Sequence, residues 1–136
     1  MSEHGIGGPV VLDSSAVLAW LRSEPGAEVV DQMLAHGIVP APNWSEICQK
    51  LAQRGADTDR VTSRLRIMGL RVEPLGMSDA EAAARLWVST RNVGLSLADR
   101  CCLAVASRLE APAVTADGAW AQIDRAALGV VVQLIR

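Results

Sequence analysis

The stretch Pro9-Val10-Val11-Leu12-Asp13-Ser14-Ser15-Ala16-Val17-Leu18-Ala19-Trp20-Leu21-Arg22 changes its hydrophobic period at a single residue. Up to Leu12 it is an unbroken apolar, β-branched run, the pattern of a strand buried on both faces. Beyond it, Val17, Leu18 and Leu21 recur at the spacing of one helix side. Asp13 stands at the joint. A buried strand that hands over directly to a helix is the opening of a βαβ unit, and it predicts an α/β fold around a parallel sheet.

The rest of the chain repeats this alternation. Glu24-Pro25-Gly26 breaks the first helix, and Val29, Val30, Met33 and Leu34 carry a second one that stops at Gly37. Residues 38–41 read as a strand, and Pro42-Asn43 then opens a helix through Trp44, Ile47, Cys48 and Leu51. Asp57 can cap a helix carrying Val61, Leu65 and Met68 that ends at Gly69. A half-buried strand is predicted over 70–75, an alanine-rich helix capped by Ser78 over 78–91, and a nearly all-apolar helix over 97–109. Strands at 112–115 and 130–135 close the pattern. The expected architecture is a three-layer α/β/α sandwich with a central, mostly parallel sheet. Residues 1–8 form a flexible tail in this reading, and 9–136 a single domain.

At 136 residues the chain can build one core without disulfides or structural metal. It has no apolar run near the ~20 residues of a membrane span. Its glycine-rich start lacks the basic and apolar segments of a signal peptide, so a cytoplasmic location is expected. Cys48, Cys101 and Cys102 are odd in number and fit neither a disulfide framework nor a metal knuckle, which leaves them as small core residues. The formal net charge of -2 supplies no general attraction for nucleic acid, so any such binding must come from a local basic face.

Asp13, Glu46, Asp99 and Asp117 are the residues that suggest chemistry, and each has a structural explanation. Asp13 can cap a helix. Glu46 follows Asn43, and Asp99 follows Ser96, at capping-box spacing, and Asp117-Gly118 is a common turn pair. Ser78 and Glu81 show the same capping pattern at a place with no other sign of a site. Joint placement separates the four from that pair. Asp13 and Asp117 end strands that belong at the sheet centre, while Glu46 and Asp99 are expected in first turns of helices that could face the same sheet edge. Ionised carboxylates gathered there repel unless a cation lies between them, and oxygen donors without histidine or cysteine favour Mg²⁺ or Mn²⁺.

The stretches Val11-Leu12-Asp13-Ser14-Ser15-Ala16, Glu24-Pro25-Gly26, Ser45-Glu46-Ile47, Leu95-Ser96-Leu97-Ala98-Asp99 and Val114-Thr115-Ala116-Asp117, with Trp120 close behind, resemble the PIN-domain nucleases. In particular, they resemble the toxin components of VapBC toxin–antitoxin modules. The resemblance places the family's acidic quartet on Asp13, Glu46, Asp99 and Asp117, and its accessory polar positions on Ser14, Ser96 and Thr115. It implies metal-dependent hydrolysis of RNA, with transfer or ribosomal RNA as substrate. It also implies a cognate antitoxin held in a groove between the early helices, and a homodimer. Asp13, Asp99 and Asp117 would be direct metal ligands, with Glu46 acting through water or at a second ion.

Other chemistries fit less well. His4 and His36 form no pair for acid–base cleavage of RNA. Lys50, the only lysine, is misplaced for a phosphoacceptor receiver domain, and Ser15 stands where a haloacid-dehalogenase-like phosphatase has an aspartate. No phosphate-binding P-loop is present. A non-catalytic binding module whose acidic residues are only caps remains a competing reading, as does a PIN nuclease of RNA processing without a toxin role. Arg54, Arg60, Arg64, Arg66 and Arg71, with Arg91 and Arg100, form either a solvated face or RNA contacts. Trp20, Trp44, Ile47 and Leu51 read as core or as the antitoxin groove.

Overall fold

The computed structural model describes residues 8–136, so most of the expected tail over 1–8, including His4, lies outside the described residues. The chain runs β1 Val10–Leu12, α1 Ser14–Leu21, α2 Ala27–Asp31, a 3₁₀ turn Leu34–His36, β2 Gly37–Pro40, α3 Ala41–Gln53, α4 Thr58–Ile67 and β3 Arg71–Glu73. It continues through α5 Met77–Thr90, α6 Leu97–Leu109, β4 Ala113–Thr115, a second 3₁₀ turn Gly118–Gln122, α7 Arg125–Leu128 and β5 Val132–Leu134.

All strand pairings are parallel, and the order is β3-β2-β1-β4-β5. The chain builds outward from β1 on one side through β2 and β3, then crosses back to lay β4 and β5 on the other. The order therefore reverses between β1 and β4, where the crossovers diverge and leave a crevice at the carboxyl ends of the strands.

Side chains alternate across the pleat, so one strand serves two cores. Val10 and Leu12 pack with Val17, Val30, Ile47 and Leu65 on one face. Val11 packs with Cys102, Leu103, Trp120 and Leu128 on the other. Helix α5 lies outside α6, joined through Ala83, Cys101 and Ala104. This is the expected three-layer α/β/α arrangement, with a sheet that is entirely parallel. The cysteines are free, Cys101 and Cys102 buried and Cys48 partly so.

Several boundaries differ from expectation. The second helix shrinks to Ala27–Asp31 plus the 3₁₀ turn, and the strands are trimmed at their ends to the residues that pair. Ala41, expected in a strand, begins α3: Pro40 is the N-cap and Pro42 sits in the first turn, where its missing N–H costs nothing. Asn43 and Glu46 are therefore both inside the helix and form no capping box, and Glu46 lies beyond the first turn. Ser78 does not cap α5 either. That helix starts at Met77 because Asp79 Oδ2 accepts the Gly76 N–H at 3.0 Å.

Candidate active site

Asp13 leaves β1 at the β1/β4 crevice and caps α1, and only 2% of its surface is exposed. Its Oδ1 accepts the Ala16 N–H at 2.9 Å and the Ser15 hydroxyl at 2.8 Å. Its Oδ2 accepts the Thr115 hydroxyl from β4 at 2.5 Å. Burial pushes the carboxyl up to about 6. The bonds from Thr115, Ala16 and Ser15 pull it back, and the charge of Asp99 adds a further push upward.

The two hydroxyls link the strand ends. Ser15 Oγ accepts the Ala116 N–H at 2.9 Å, and Thr115 Oγ1 accepts the Asp117 N–H at 3.0 Å. Both hydroxyl hydrogens are committed to Asp13, so the 3.2 Å approach of Ser15 Oγ to Thr115 Oγ1 is a contact of two acceptors. Ser15 has no motif of its own in the sequence beyond a serine doublet. Its role becomes visible only when β4 is laid beside β1.

Glu46, half-buried in the second turn of α3, accepts the Ser14 hydroxyl on Oε1 at 2.7 Å. Asp99 forms the expected capping box: Asp99 Oδ2 accepts the Ser96 N–H at 2.9 Å, and Ser96 Oγ accepts the Asp99 N–H at 3.1 Å. Asp117 is exposed and caps the second 3₁₀ turn, with Oδ1 accepting the Ala119 N–H at 3.0 Å.

The Cys102 thiol is wholly buried and raised well above its ordinary value, first by burial and then by the charges of Asp13, Asp99, Cys101 and Glu46. Three of the four carboxylates thus act on one interior point. Asp117 stands at the rim, tied to Asp13 through Thr115. Among the described residues none of the four is ion-paired with an arginine or lysine. No three acidic, histidine or cysteine side chains among them are already drawn together as an ion-holding group. Asp99 and Asp117 are turned to their caps. The donor chemistry is that of a hard cation: oxygen only, uncompensated negative charge and a buried aspartate.

Asn43 has no exposed surface, and its Nδ2 donates to the carbonyl of Ala98, the residue before Asp99. It was absent from the expected residues, although its place on the α3 face that carries Ile47 and Leu51, at intervals of four, was a readable sign that it points inward. Ile47 and Leu51 are core, while Trp20 and Trp44 are half-buried. Arg54, Arg60, Arg64, Arg66 and Arg71 are exposed. Arg60 and Arg64 border a groove with Trp20, Val61, Leu65 and Met68. No helix among the described residues is long and apolar enough to cross a membrane.

No curated protein matches the chain in sequence. Among solved structures it is similar to Mycobacterium tuberculosis VapC20, a sarcin–ricin loop cleaving toxin (19% identity, TM-score 0.69, covering 83% of this chain and 93% of that one). It is also similar to FitAcB from Neisseria gonorrhoeae (19% identity, TM-score 0.68, 93% and 97%). A third likeness is to a toxin–antitoxin complex from Klebsiella pneumoniae (15% identity, TM-score 0.66, 79% and 86%). These likenesses share the all-parallel fold, and the PIN-domain sequence family matches residues 10–126. With that match spanning β1 to α7, the chain belongs to the PIN-domain family of nucleases.

Proposed function

We propose that this chain is a divalent-metal-dependent endoribonuclease that hydrolyses RNA phosphodiester bonds, acting in the cytoplasm as the toxin of a type II toxin–antitoxin pair. The observation that carries the reading is Asp13. A carboxylate at 2% exposure, held by three donors and lacking a basic partner among the described residues, is costly in a domain that has no use for it.

Asp13, Asp99 and Asp117 would hold Mg²⁺ or Mn²⁺, with Glu46 joining directly or through water. When bound, the cation acidifies a coordinated water and offsets charge gathering on the phosphate. Asp13 is fixed by Ser15, Ala16 and Thr115 and so works as an anchor. Glu46 is oriented through Oε1 by Ser14, which leaves Oε2 to accept the proton that the attacking water gives up. Thr115 and Ser96 hold Asp13 and Asp99 in place. Asp99 gives only Oδ2 to its cap and Asp117 only Oδ1, which would leave the other oxygen of each for the ion.

Transfer or ribosomal RNA is the proposed substrate, with the exposed arginines of α4 and β3 as candidate phosphate contacts. An antitoxin is the proposed occupant of the Trp20, Val61, Leu65 and Met68 groove, and a homodimer the proposed assembly. Support for the antitoxin comes from the toxin–antitoxin complexes that share the fold. One observation favours the binding-module reading, because Asp99 and Asp117 are real caps. Incubation with transfer and ribosomal RNA decides between them. The nuclease reading expects cleavage in Mg²⁺ or Mn²⁺, none with EDTA, and a loss of at least about a hundredfold in Asp13→Ala. Absence of metal-dependent cleavage, with equal Mn²⁺ binding by Asp13→Ala and wild type, overturns it.

A further inference from the structure

Asn43 makes poor use of its amide. Its Nδ2 donates to the Ala98 carbonyl at a long 3.3 Å, and its buried Oδ1 has no partner. Ala98 lies in the first turn of α6, where its carbonyl already serves the helix ladder. The bond therefore satisfies nothing that would otherwise be left open. Turning the amide over does not help, since it would set Oδ1 against the Ala98 oxygen. The surrounding α3 face is apolar at Ile47 and Leu51, so a leucine of nearly the same shape would suit the fold better than asparagine.

The position of this misfit is informative. On α3, Asn43 precedes Glu46 by three residues, on neighbouring parts of one helix face. On α6, its partner Ala98 precedes Asp99. One amide therefore bridges the two helices that carry Glu46 and Asp99. A buried polar group that the fold does not need, placed between two acidic residues, marks a functional constraint.

We propose that Asn43 is a positioning residue of the metal site: Nδ2 sets α6 against α3 and so spaces Asp99 from Glu46, and Oδ1 accepts a hydrogen from a water that enters with the cation. The inference rests on the metal-dependent reading above. It makes Asn43 a support for the ligands and gives it no contact with the reacting phosphate.

The test is Asn43→Leu, followed by thermal unfolding without metal, Mn²⁺ binding by electron paramagnetic resonance, and cleavage as a function of Mn²⁺. The expected result is a metal-free Tm at or above that of wild type, with Mn²⁺ affinity lower by about ten- to a hundredfold. A purely structural asparagine would show the opposite split, a lower Tm with unchanged affinity, and that result overturns the proposal. If Asn43→Leu does not fold, Asn43→Ala and Asn43→Ser leave similar cavities and differ in one hydroxyl. Tighter Mn²⁺ binding by the serine variant supports the proposal, and equal binding overturns it. Failure of wild type itself to bind Mn²⁺ removes the metal-dependent reading as well, whereas wild-type binding matched by Asn43→Leu removes only the role of Asn43.

Discussion

Thr115 Oγ1 on β4 donates a 2.5 Å hydrogen bond to Asp13 Oδ2 at the end of β1, joining the two strands at the point where the sheet order reverses. The bond stabilises the ionised carboxylate against a burial that opposes it. Thr115→Val keeps the shape and removes the donor. It also leaves the Asp117 N–H without its acceptor. The expected outcome is a loss of about 1–3 kcal/mol in urea denaturation, a further rise in the Asp13 pKa, and a higher Mg²⁺ requirement for cleavage.

Asp13 itself should trade stability for function. The unfolded carboxyl titrates near 3.8 and the folded one near 6, so the native state holds the proton more tightly. Stability in EDTA should therefore fall as pH rises from about 4 to 6 and stay low above that window. Asp13→Asn removes the charge. At pH 7 in EDTA it should be more stable than wild type by about 1–3 kcal/mol, with a flatter pH profile. Added Mg²⁺ should raise the wild-type Tm and leave that of the variant unmoved.

The Glu24-Pro25-Gly26 stretch, one of the segments that carry the family resemblance, is explained by packing. Gly26 has φ +95, and a Cβ there would meet the Ile135 carbonyl oxygen at 2.6 Å. Arg136 closes over the same loop by donating to Glu24 Oε1 and the Pro25 carbonyl. Gly26→Ala should cost about 2–4 kcal/mol in thermal or urea unfolding, with Mn²⁺ affinity of the folded protein unchanged.

Arg108 grips Asp79 through Nε at 2.8 Å and Nη2 at 3.0 Å, and reaches Glu73 through Nη1 at 3.1 Å. The guanidinium holds the Asp79 carboxyl below its ordinary 3.8. Its stabilising effect is therefore present at neutral pH and lost as pH falls below that range. Arg108→Met should destabilise the protein by about 1–3 kcal/mol at pH 7. In urea titrations from pH 7 to pH 3, the gap from wild type should close toward the acid end.

What the sequence disclosed depended on whether the deciding partner was near in the chain. The break in period at Asp13 gave β1 and α1, the Ser96–Asp99 box and the 97–109 helix were read correctly, and so was the Asp57 cap, where Asp57 Oδ1 accepts the Arg60 N–H. Asn43 and Glu46 were misread as a cap because their spacing is identical inside a helix and at its start; only the strand ending at Pro40 settles which applies. Ser78 lost its cap for a distant reason, since Asp79 is held by Arg108, 29 residues away. Ser15 was illegible as a site residue because its partner Ala116 is supplied by another layer of the fold, and for Asn43 the spacing disclosed its inward direction but not its partner Ala98 on α6.

The passage from Pro40 to Ala41 has no loop, so α3 is keyed to β2 without slack. Each residue added at that seam would rotate everything after it by about 100° and advance it by about 1.5 Å. One insertion would swing Glu46 off Ser14 and carry Asn43 out of the core together. Length at this seam is thus under the same constraint as residue identity, and a relative that changed it would have to rebuild this side of the site from other positions.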